Sequence, residues 1–167
     1  MFMTACQSLF SSIDAQLLRD SGLPLGYYEI LVRLSEAPDR ALRMSQLATA
    51  STFSKSRLSH AVSRLEERGW VLRRDCPTDR RGQIAQLTDA GFAVLEAAAP
   101  GHVEHVRRAL IDALTAEQVG QLHEISAAIA AAIRSSCATV AEACDEAEAA
   151  AGDAVEGGCG SEFEDKA

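Results

Sequence analysis

The sequence is poor in aromatic residues, which account for 5% of its 167 positions. It also lacks any segment close to the ~20 consecutive apolar residues that a membrane-spanning helix requires. Its first residues, MFMTACQSLFSSIDAQLL, do not place a basic segment before an apolar block, so no secretion signal is expected. With 47% hydrophobic and 24% charged residues, these features predict a soluble, globular, cytoplasmic protein without a membrane partner.

The five cysteines include no Cys-x-x-Cys pair, and their odd number argues against a complete disulfide framework. In a reducing cytosol they are expected to be free thiols. Cys6 lies in the first predicted helix, upstream of two tyrosines. Cys76 lies on a predicted hairpin, where we expect an exposed side chain. Each is either a redox sensor or an inert thiol, and the sequence leaves both interpretations open.

Groups that would indicate an enzyme or a metal centre are also missing. Ser56 and His60 have the i, i+4 spacing of a nucleophile and its base, but no orienting acid or oxyanion hole accompanies them. His102 and His105 share a helix face without a convincing third and fourth ligand. We therefore predict no catalytic activity, no metal site and no cofactor.

The sequence does contain a concentrated basic region. Residues 135–167 hold nine acids and one base, so this segment alone accounts for the net charge of −8. Residues 40–81 hold ten bases and four acids, a net charge of +6. This basic window is a candidate nucleic-acid-binding region within an acidic chain. The acid-rich end, residues 137–167, is predicted to be a disordered tail.

Hydrophobic periodicity and capping residues predict mostly helix, with one β-hairpin. Helices are predicted at residues 4–20, 25–36, 44–50, 54–69, 88–114 and 115–136, and strands at residues 70–75 and 83–87. The clearest helix is 54–69, because Ser54 is a favourable N-cap, Gly69 is favourable just after the end, and the apolar residues share one face. A short helix, a turn, a basic helix and a hairpin are the elements of a winged helix-turn-helix.

The basic helix has a polar side that suits DNA. Opposite its apolar stripe it carries Ser56, His60, Ser63 and Glu67, with Arg57 and Arg64 on one flank. Hydroxyl, imidazole and guanidinium groups contact base edges and phosphates in major grooves. The positive end of the helix dipole also favours a phosphate near Lys55. Taken alone, this pattern is equally typical of a solvated helix face.

A longer motif favours the DNA interpretation. Residues 42–95, LRMSQLATASTFSKSRLSHAVSRLEERGWVLRRDCPTDRRGQIAQLTDAGFAVL, resemble the core of the MarR family of winged-helix transcriptional regulators. The similarity rests on S-x-S-x-L-S-x-x-V-x-R-L-E-x-x-G, followed by C-P-T-D-R-R-G and then LT-x-x-G. With its flanking helices, the resemblance extends over about residues 5–134. The combination of DRRG with the LT helix start is its most specific part.

The resemblance implies a mainly α fold with a small β-hairpin wing, an α+β arrangement. A winged helix-turn-helix DNA-binding lobe is expected at residues 37–88. Residues 1–36 and 89–136 are expected to form a helical dimerisation domain. The implied assembly is a homodimer whose paired lobes bind a pseudo-palindromic operator in double-stranded DNA.

The resemblance also assigns DNA-binding residues by position. The recognition helix is expected to contribute Ser54, Lys55, Ser56, Arg57, His60 and Arg64. Arg80 and Arg81 lie at the wing, where the family places an arginine in the minor groove. Asp79 is expected to position that arginine through a salt bridge. His60 stands where close relatives often have arginine, so no base preference is carried over.

Members of the family usually bind a small phenolic or lipophilic effector between the dimer helices and the DNA-binding lobe. Tyr27, Tyr28 and Trp70 are candidates for lining such a pocket, although aromatic residues at these positions are also typical of a core. The resulting hypothesis is a homodimeric DNA-binding repressor controlled by an effector. Two alternatives stay open: a redox-sensing regulator of the same fold that uses Cys6 or Cys76, and a winged-helix module that binds protein instead of DNA.

Overall fold

The computed structural model describes residues 1–51, 53–76 and 79–133, and the acid-rich segment at 137–167 lies outside these residues. The chain divides into two compact units, Met1–Ala113 and Leu114–Ala167. The first unit contains α1 (Phe2–Ser21), α2 (Leu25–Glu36), a 3₁₀ turn (Pro38–Arg40), β1 (Ala41–Arg43), α3 (Met44–Ala50), α4 (Lys55–Glu67), β2 (Val71–Cys76), β3 (Asp79–Leu87), α5 (Asp89–Val106) and a π-helical turn (Arg107–Ile111). In the second unit, residues 116–133 form a helix, α6.

The core of the first unit forms around α2, which presents apolar residues on more than one side. Ile30, Leu31 and Leu34 of this helix are at most 1% exposed. The largest fully buried side chains are Leu17, Leu23, Ile30, Leu31, Leu34, Leu47, Leu58, Leu65, Val62 and Val71. They come from α1 to α4, the α1–α2 connection and β2, so one hydrophobic cluster anchors both the long helices and the basic helix.

The sheet has three antiparallel strands in the order β1-β3-β2. Residues 41–43 were not predicted as a strand, because three residues are too few to show alternation; they pair with residues 84–86 of β3. The two predicted strands, 70–75 and 83–87, are too short at the hairpin end, since β2 reaches Cys76 and β3 begins at Asp79. Cys76 pairs with Asp79, whereas Asp75 pairs with Gln83, so the register between the two strands shifts between Asp75 and Cys76.

Helix α4 begins and ends where its capping residues predict. The Ser54 Oγ accepts a hydrogen bond from the backbone N–H of Arg57 at 3.4 Å. Gly69, just beyond the helix, has a φ of +71°, a conformation that glycine adopts without steric cost. The predicted cap of α5 is confirmed as well, with the Gly91 N–H donating to Thr88 Oγ1 at 3.0 Å.

The contact between Gly91 and Trp70 accounts for the glycine of the LT-x-x-G motif. A Cβ on Gly91 would collide with the Trp70 carbonyl oxygen. The Thr88 N–H donates to the same carbonyl at 3.0 Å, and the Thr88 hydroxyl donates to the Gly69 carbonyl at 2.8 Å. The start of α5 is therefore fixed against the segment between α4 and β2.

In the second unit, Thr115 and Gln118 form reciprocal hydrogen bonds at the start of α6. The Thr115 N–H donates to Gln118 Oε1 at 2.9 Å, and the Gln118 N–H donates to Thr115 Oγ1 at 3.2 Å. This arrangement is a capping box, which fixes the start of the helix. Ile125, Ile129 and Ile133, which lie at i, i+4 and i+8 of α6, are 55%, 43% and 59% exposed in the single chain.

None of the helices in the described part of the chain combines the length and apolar character needed to cross a membrane.

Candidate nucleic-acid interface

Helix α4 buries one face and exposes the other. Leu58, Ala61, Val62 and Leu65 are buried in the core. All six residues predicted for DNA contact on this helix are exposed: Ser54, Lys55, Ser56, Arg57, His60 and Arg64. Among the residues that the structure describes, the side chains of Lys55, Arg57 and His60 have no hydrogen-bond or ion-pair partner. These groups are therefore available to bind an external anion or hydrogen-bond acceptor.

The N-terminal end of α4 adds to this positive character. The helix has no acidic residue in its first turn, so no carboxylate offsets the partial positive charge of its first amides. Lys55 stands at the first helical position and is exposed. A phosphate group at this end would meet both the helix dipole and an ammonium group.

Arg64 is also exposed on this helix, but unlike Lys55 and Arg57 its side chain has a hydrogen-bond partner. Its Nη1 donates to Glu67 Oε2 at 2.8 Å, one turn further along the helix. This hydrogen bond raises the pKa of the Arg64 guanidinium above its ordinary value, and the negative charge of Glu67 acts in the same direction. The two side chains are 67% and 61% exposed, so the pair is solvated and weak. It orients Arg64 without removing it from the surface.

Two other arginines of the basic window are held by aromatic rings. The Arg40 guanidinium lies 3.9 Å from the ring centre of Phe92 and donates to Asp89 Oδ1 at 3.2 Å. The Arg68 guanidinium lies 4.9 Å from the Trp70 ring and 5.8 Å from the Tyr27 ring. Cations over ring faces are stabilised by the ring quadrupole. These two arginines therefore contribute to the fold.

Arg73 of β2 is a third engaged arginine, and sequence reasoning had counted it only as part of the basic window. Its Nη2 donates to the Ser59 carbonyl at 2.7 Å and to Ser63 Oγ at 2.8 Å. Ser63 had been predicted on the free polar side of α4, but its hydroxyl accepts from Arg73 instead. The alternation of β2 was the available signal, since Arg73 lies between two exposed neighbours, Leu72 and Arg74.

The predicted wing residues lie in β3, the central strand of the sheet. Asp79, Arg80 and Arg81 form the first part of β3, which pairs with β2. Their side chains lie outside what the structure describes. The positioning role of Asp79 and the minor-groove role of the arginines therefore remain predictions.

A cavity of about 450 Å³ opens between α1, α2 and α5. Tyr28 and His102 both line this cavity, and their ring centres are 4.6 Å apart. Burial raises the pKa of the Tyr28 phenol. Burial, assisted by nearby His105, lowers the pKa of His102. Of the three aromatic residues predicted for a pocket, Tyr28 lies in this wall, whereas Tyr27 and Trp70 pack at the edge of the core beneath Arg68.

The two cysteines considered as sensors lie in different surroundings. Cys76, predicted to be exposed, is only 5% exposed at the end of β2, where the pairing with β3 shifts in register, so this prediction is wrong. Cys6 of α1 is half-buried. A buried thiol is less accessible to an oxidant than an exposed one. Within the described residues, no three His, Cys, Asp or Glu side chains gather as metal ligands.

The chain matches known proteins over the region just described. A family model described as "MarR family" matches residues 21–82. The crystal structure of Sco3205, a MarR family transcriptional regulator from Streptomyces coelicolor in complex with DNA, is 52% identical, with a TM-score of 0.75, covering 77% of this chain and 81% of that one. AbsC, a MarR family regulator from the same organism, is 41% identical, with a TM-score of 0.75, covering 80% and 89% of the two chains.

Curated relatives match over shorter lengths. The HTH-type transcriptional regulator PecS of Dickeya dadantii is 39% identical over 67 residues, which are 40% of each chain. The transcriptional repressor MprA of Escherichia coli is 27% identical over 111 residues, or 66% of this chain and 62% of MprA. The chain thus spans 40% to 62% of the length of these two relatives. Because the solved relatives combine high identity with coverage of at least four-fifths of their own chains, the chain described here belongs to the MarR family.

Proposed function

We propose that this protein is a sequence-specific DNA-binding transcriptional regulator that places α4 in the major groove. The observation that carries the proposal is the exposed face of α4, where Lys55, Arg57 and His60 lack partners among the described residues. Arginine and lysine donors on such a face match guanine edges and phosphate oxygens. The DNA complex of the 52% identical relative supports the same interpretation.

The wing supplies the second part of the proposed contact. Arg80 and Arg81 enter the adjacent minor groove, and Asp79 positions one of them. The pairing of β3 with β2 supports this role, since it keeps the wing beside α4. An arginine in a narrow minor groove meets an enhanced negative potential.

The proposed active form is a homodimer on a pseudo-palindromic operator, with residues 1–36 and 89–136 as its dimerisation domain. Apolar side chains that are exposed in the single chain support this assembly. In α1 these include Phe2, 56% exposed, and Phe10, 58% exposed; in α6 they are Ile125, Ile129 and Ile133. A two-fold symmetric dimer presents two copies of α4 to half-sites about one helical turn apart.

We propose that the regulator represses transcription in the cytoplasm and that a small phenolic or lipophilic effector releases it. The name of the relative MprA, a transcriptional repressor, supports the sign of regulation. The cavity beside Tyr28 and His102 supports effector binding, since its wall combines apolar side chains with two ring hydrogen-bonding groups.

An electrophoretic mobility-shift assay tests the DNA-binding proposal. The probe is a duplex from the region upstream of the protein's own gene, and the control is a scrambled duplex of equal length and composition. We expect a specific complex whose affinity falls steeply as salt rises. Such proteins lose about tenfold or more in affinity between 50 and 200 mM salt. If the protein shows no preference for the operator duplex at any salt concentration in this range, the proposed function is excluded.

The effector and the dimer have separate tests. Phenolic compounds that raise the thermal unfolding midpoint should also release the operator complex, because a ligand that binds the folded protein stabilises it. Tyr28→Phe, which removes the phenol hydroxyl and keeps the buried ring, should weaken both effects while leaving operator binding without the compound intact. Sedimentation equilibrium should give twice the mass of the chain, and a monomer at micromolar concentration would contradict the proposed assembly.

A further inference from the structure

The side chain of Arg73 runs from the wing to the flank of the recognition helix. It is 19% exposed, whereas its neighbour Arg74 on the same strand is exposed. We propose that Arg73 is a positioning residue, which holds the wing at a fixed angle to α4 and so sets operator specificity without contacting DNA. This inference rests on the proposed DNA-binding function.

Three groups on α4 meet this one guanidinium. Nη2 donates to the Ser59 carbonyl at 2.7 Å and to Ser63 Oγ at 2.8 Å. Nε lies 3.7 Å from Glu66 Oε2, which is an ion pair longer than a hydrogen bond. Because the partners follow i, i+4 and i+7, Arg73 is fixed against two successive turns of the helix.

The flank that Arg73 contacts borders the face proposed to meet DNA, close to Ser56 and Lys55. At roughly 100° per residue, Ser59, Ser63 and Glu66 lie about a quarter turn from His60. Arg73 therefore stabilises α4 from the side and leaves Arg57 and His60 exposed. A cation that already donates to a carbonyl and a hydroxyl and lies beside a carboxylate also has less attraction left for a phosphate.

Arg73 itself belongs to β2, one of the two strands of the wing. Arg73 pairs with Ala85 in the antiparallel ladder between β2 and β3. The same β3 strand carries Arg80 and Arg81 at its start. Because β3 pairs with β2, the contact between Arg73 and α4 also sets where the start of β3, with its two arginines, lies relative to α4.

A fixed angle matters for operator binding more than for nonspecific binding. An operator complex requires α4 and the wing to fit two grooves at once, whereas nonspecific binding depends on sequence-independent phosphate contacts. Lysine keeps the charge of arginine but lacks the planar fork that reaches several acceptors together. Arg73→Lys thus separates positioning from charge.

The test compares Arg73→Lys with Arg74→Lys, the same exchange at the adjacent exposed residue. Dissociation constants are measured at one salt concentration on the operator duplex and on its scrambled counterpart. For Arg73→Lys we expect about a tenfold loss on the operator, the scale of one lost charge-assisted hydrogen bond, and less than about a twofold loss on the scrambled duplex. Arg74→Lys should change neither affinity appreciably.

Two results would overturn the proposal. One is an equal fold-change in the dissociation constants for both duplexes, which indicates a phosphate contact or general destabilisation. The other is no change in either dissociation constant. Wild-type protein in the same assay separates the two levels of inference. If wild type does not prefer the operator, the proposed function fails. If wild type prefers it and Arg73→Lys keeps that preference, only the role of Arg73 fails.

Ser63→Ala keeps the inference testable if Arg73→Lys does not fold by circular dichroism. It removes one acceptor of Arg73 without changing any charge. We expect Ser63→Ala alone to lower operator preference. Where Arg73→Lys does fold, the loss in Ser63→Ala should be the smaller one, and the double variant should lose no more than Arg73→Lys, because contacting residues are not additive. Undiminished operator preference in Ser63→Ala, or additive losses in the double variant, would contradict the positioning role.

Discussion

The basic window contains two groups of cations that the sequence does not distinguish. Lys55 and Arg57 extend from the exposed face of α4 without partners among the described residues. Arg40, Arg68 and Arg73 are held by aromatic rings, a carbonyl or side-chain oxygens. The groups carry equal charge per residue and lie within the same 42 positions of the chain. Under the proposed function, one group binds DNA and the other supports the surface that does so.

This comparison changes the meaning of the net charge of +6 at residues 40–81. At least three of its ten bases are committed to the fold. The charge available to a polyanion is therefore smaller and more localised than the count implies. Localisation on one helix face favours a groove-sized contact over diffuse attraction to any anionic surface.

The largest effect is expected for the exposed group. Arg57→Ala should weaken operator binding by about 1–3 kcal/mol if the guanidinium contacts a base, or should lower the salt slope by about 1 if it contacts a phosphate. Plots of log Kd against log salt concentration distinguish these outcomes. Arg19→Ala is the matched control, since it removes an exposed arginine from α1, where Arg19 pairs with Asp20. Equal behaviour of the two variants would remove the distinction between the groups.

The supporting group depends on the packing that holds Trp70 in place. Gly91→Ala should lower the free energy of unfolding by about 1–3 kcal/mol, because the added methyl group overpacks the contact with the Trp70 carbonyl. Gly101→Ala, in the same helix, is the control. Its Cβ would meet Gln16 Nε2 at an ordinary 3.5 Å, and alanine favours helix by about 0.5–1 kcal/mol. Urea unfolding should therefore shift in opposite directions for the two variants.

A smaller effect is expected at Arg68. Arg68→Ala removes the cation from the Trp70 and Tyr27 rings, which should cost about 0.5–1 kcal/mol of stability at this exposed site. Its salt slope for DNA binding should equal that of wild type, because Arg68 is assigned to the fold. Urea unfolding and the salt titration measure the two quantities on one preparation. A slope reduced by about 1, with unchanged stability, would place Arg68 with Lys55 and Arg57 instead.

Local chemistry made the exposed site predictable from the sequence. The stripe of apolar residues on α4 requires its opposite face to be exposed, and Ser54 and Thr88 act as caps through contacts within three residues. The ranges of α2 and α3 follow from the same short-range signals.

The supporting group was not predictable in this way, because its contacts join distant parts of the chain. Arg40 meets Phe92 across more than 50 positions, and Arg73 meets Ser59 across 14. Cys76 is likewise buried at the end of β2, which its place in a hairpin does not indicate. The engaged arginines and Cys76 can therefore be distinguished from exposed residues only in the folded structure.

The smallest effect concerns histidine, which also occurs in both settings. His60 is exposed on α4, whereas His102 packs against Tyr28 and its buried Nδ1 has no partner among the described residues. Burial, followed by the charge of His105, lowers the pKa of His102 in the folded protein. Below its ordinary value of 6.5, the unfolded chain therefore binds more protons at this residue than the folded chain. Stability should fall as pH decreases from 7 to 5.

Urea unfolding midpoints at pH 5, 6, 7 and 8 test this expectation, because the His102→Asn variant should lose part of the decline that wild type shows. His60→Asn is the control and should retain the wild-type decline. Glu104 does not interfere in this range: hydrogen bonding to Arg107 lowers its pKa from 4.5 to about 2, so its stabilising contribution is lost only as pH falls below its ordinary value. If His102→Asn and His60→Asn changed the profile equally, burial would not distinguish the two histidines. The contrast between engaged and exposed groups would then hold for the arginines alone.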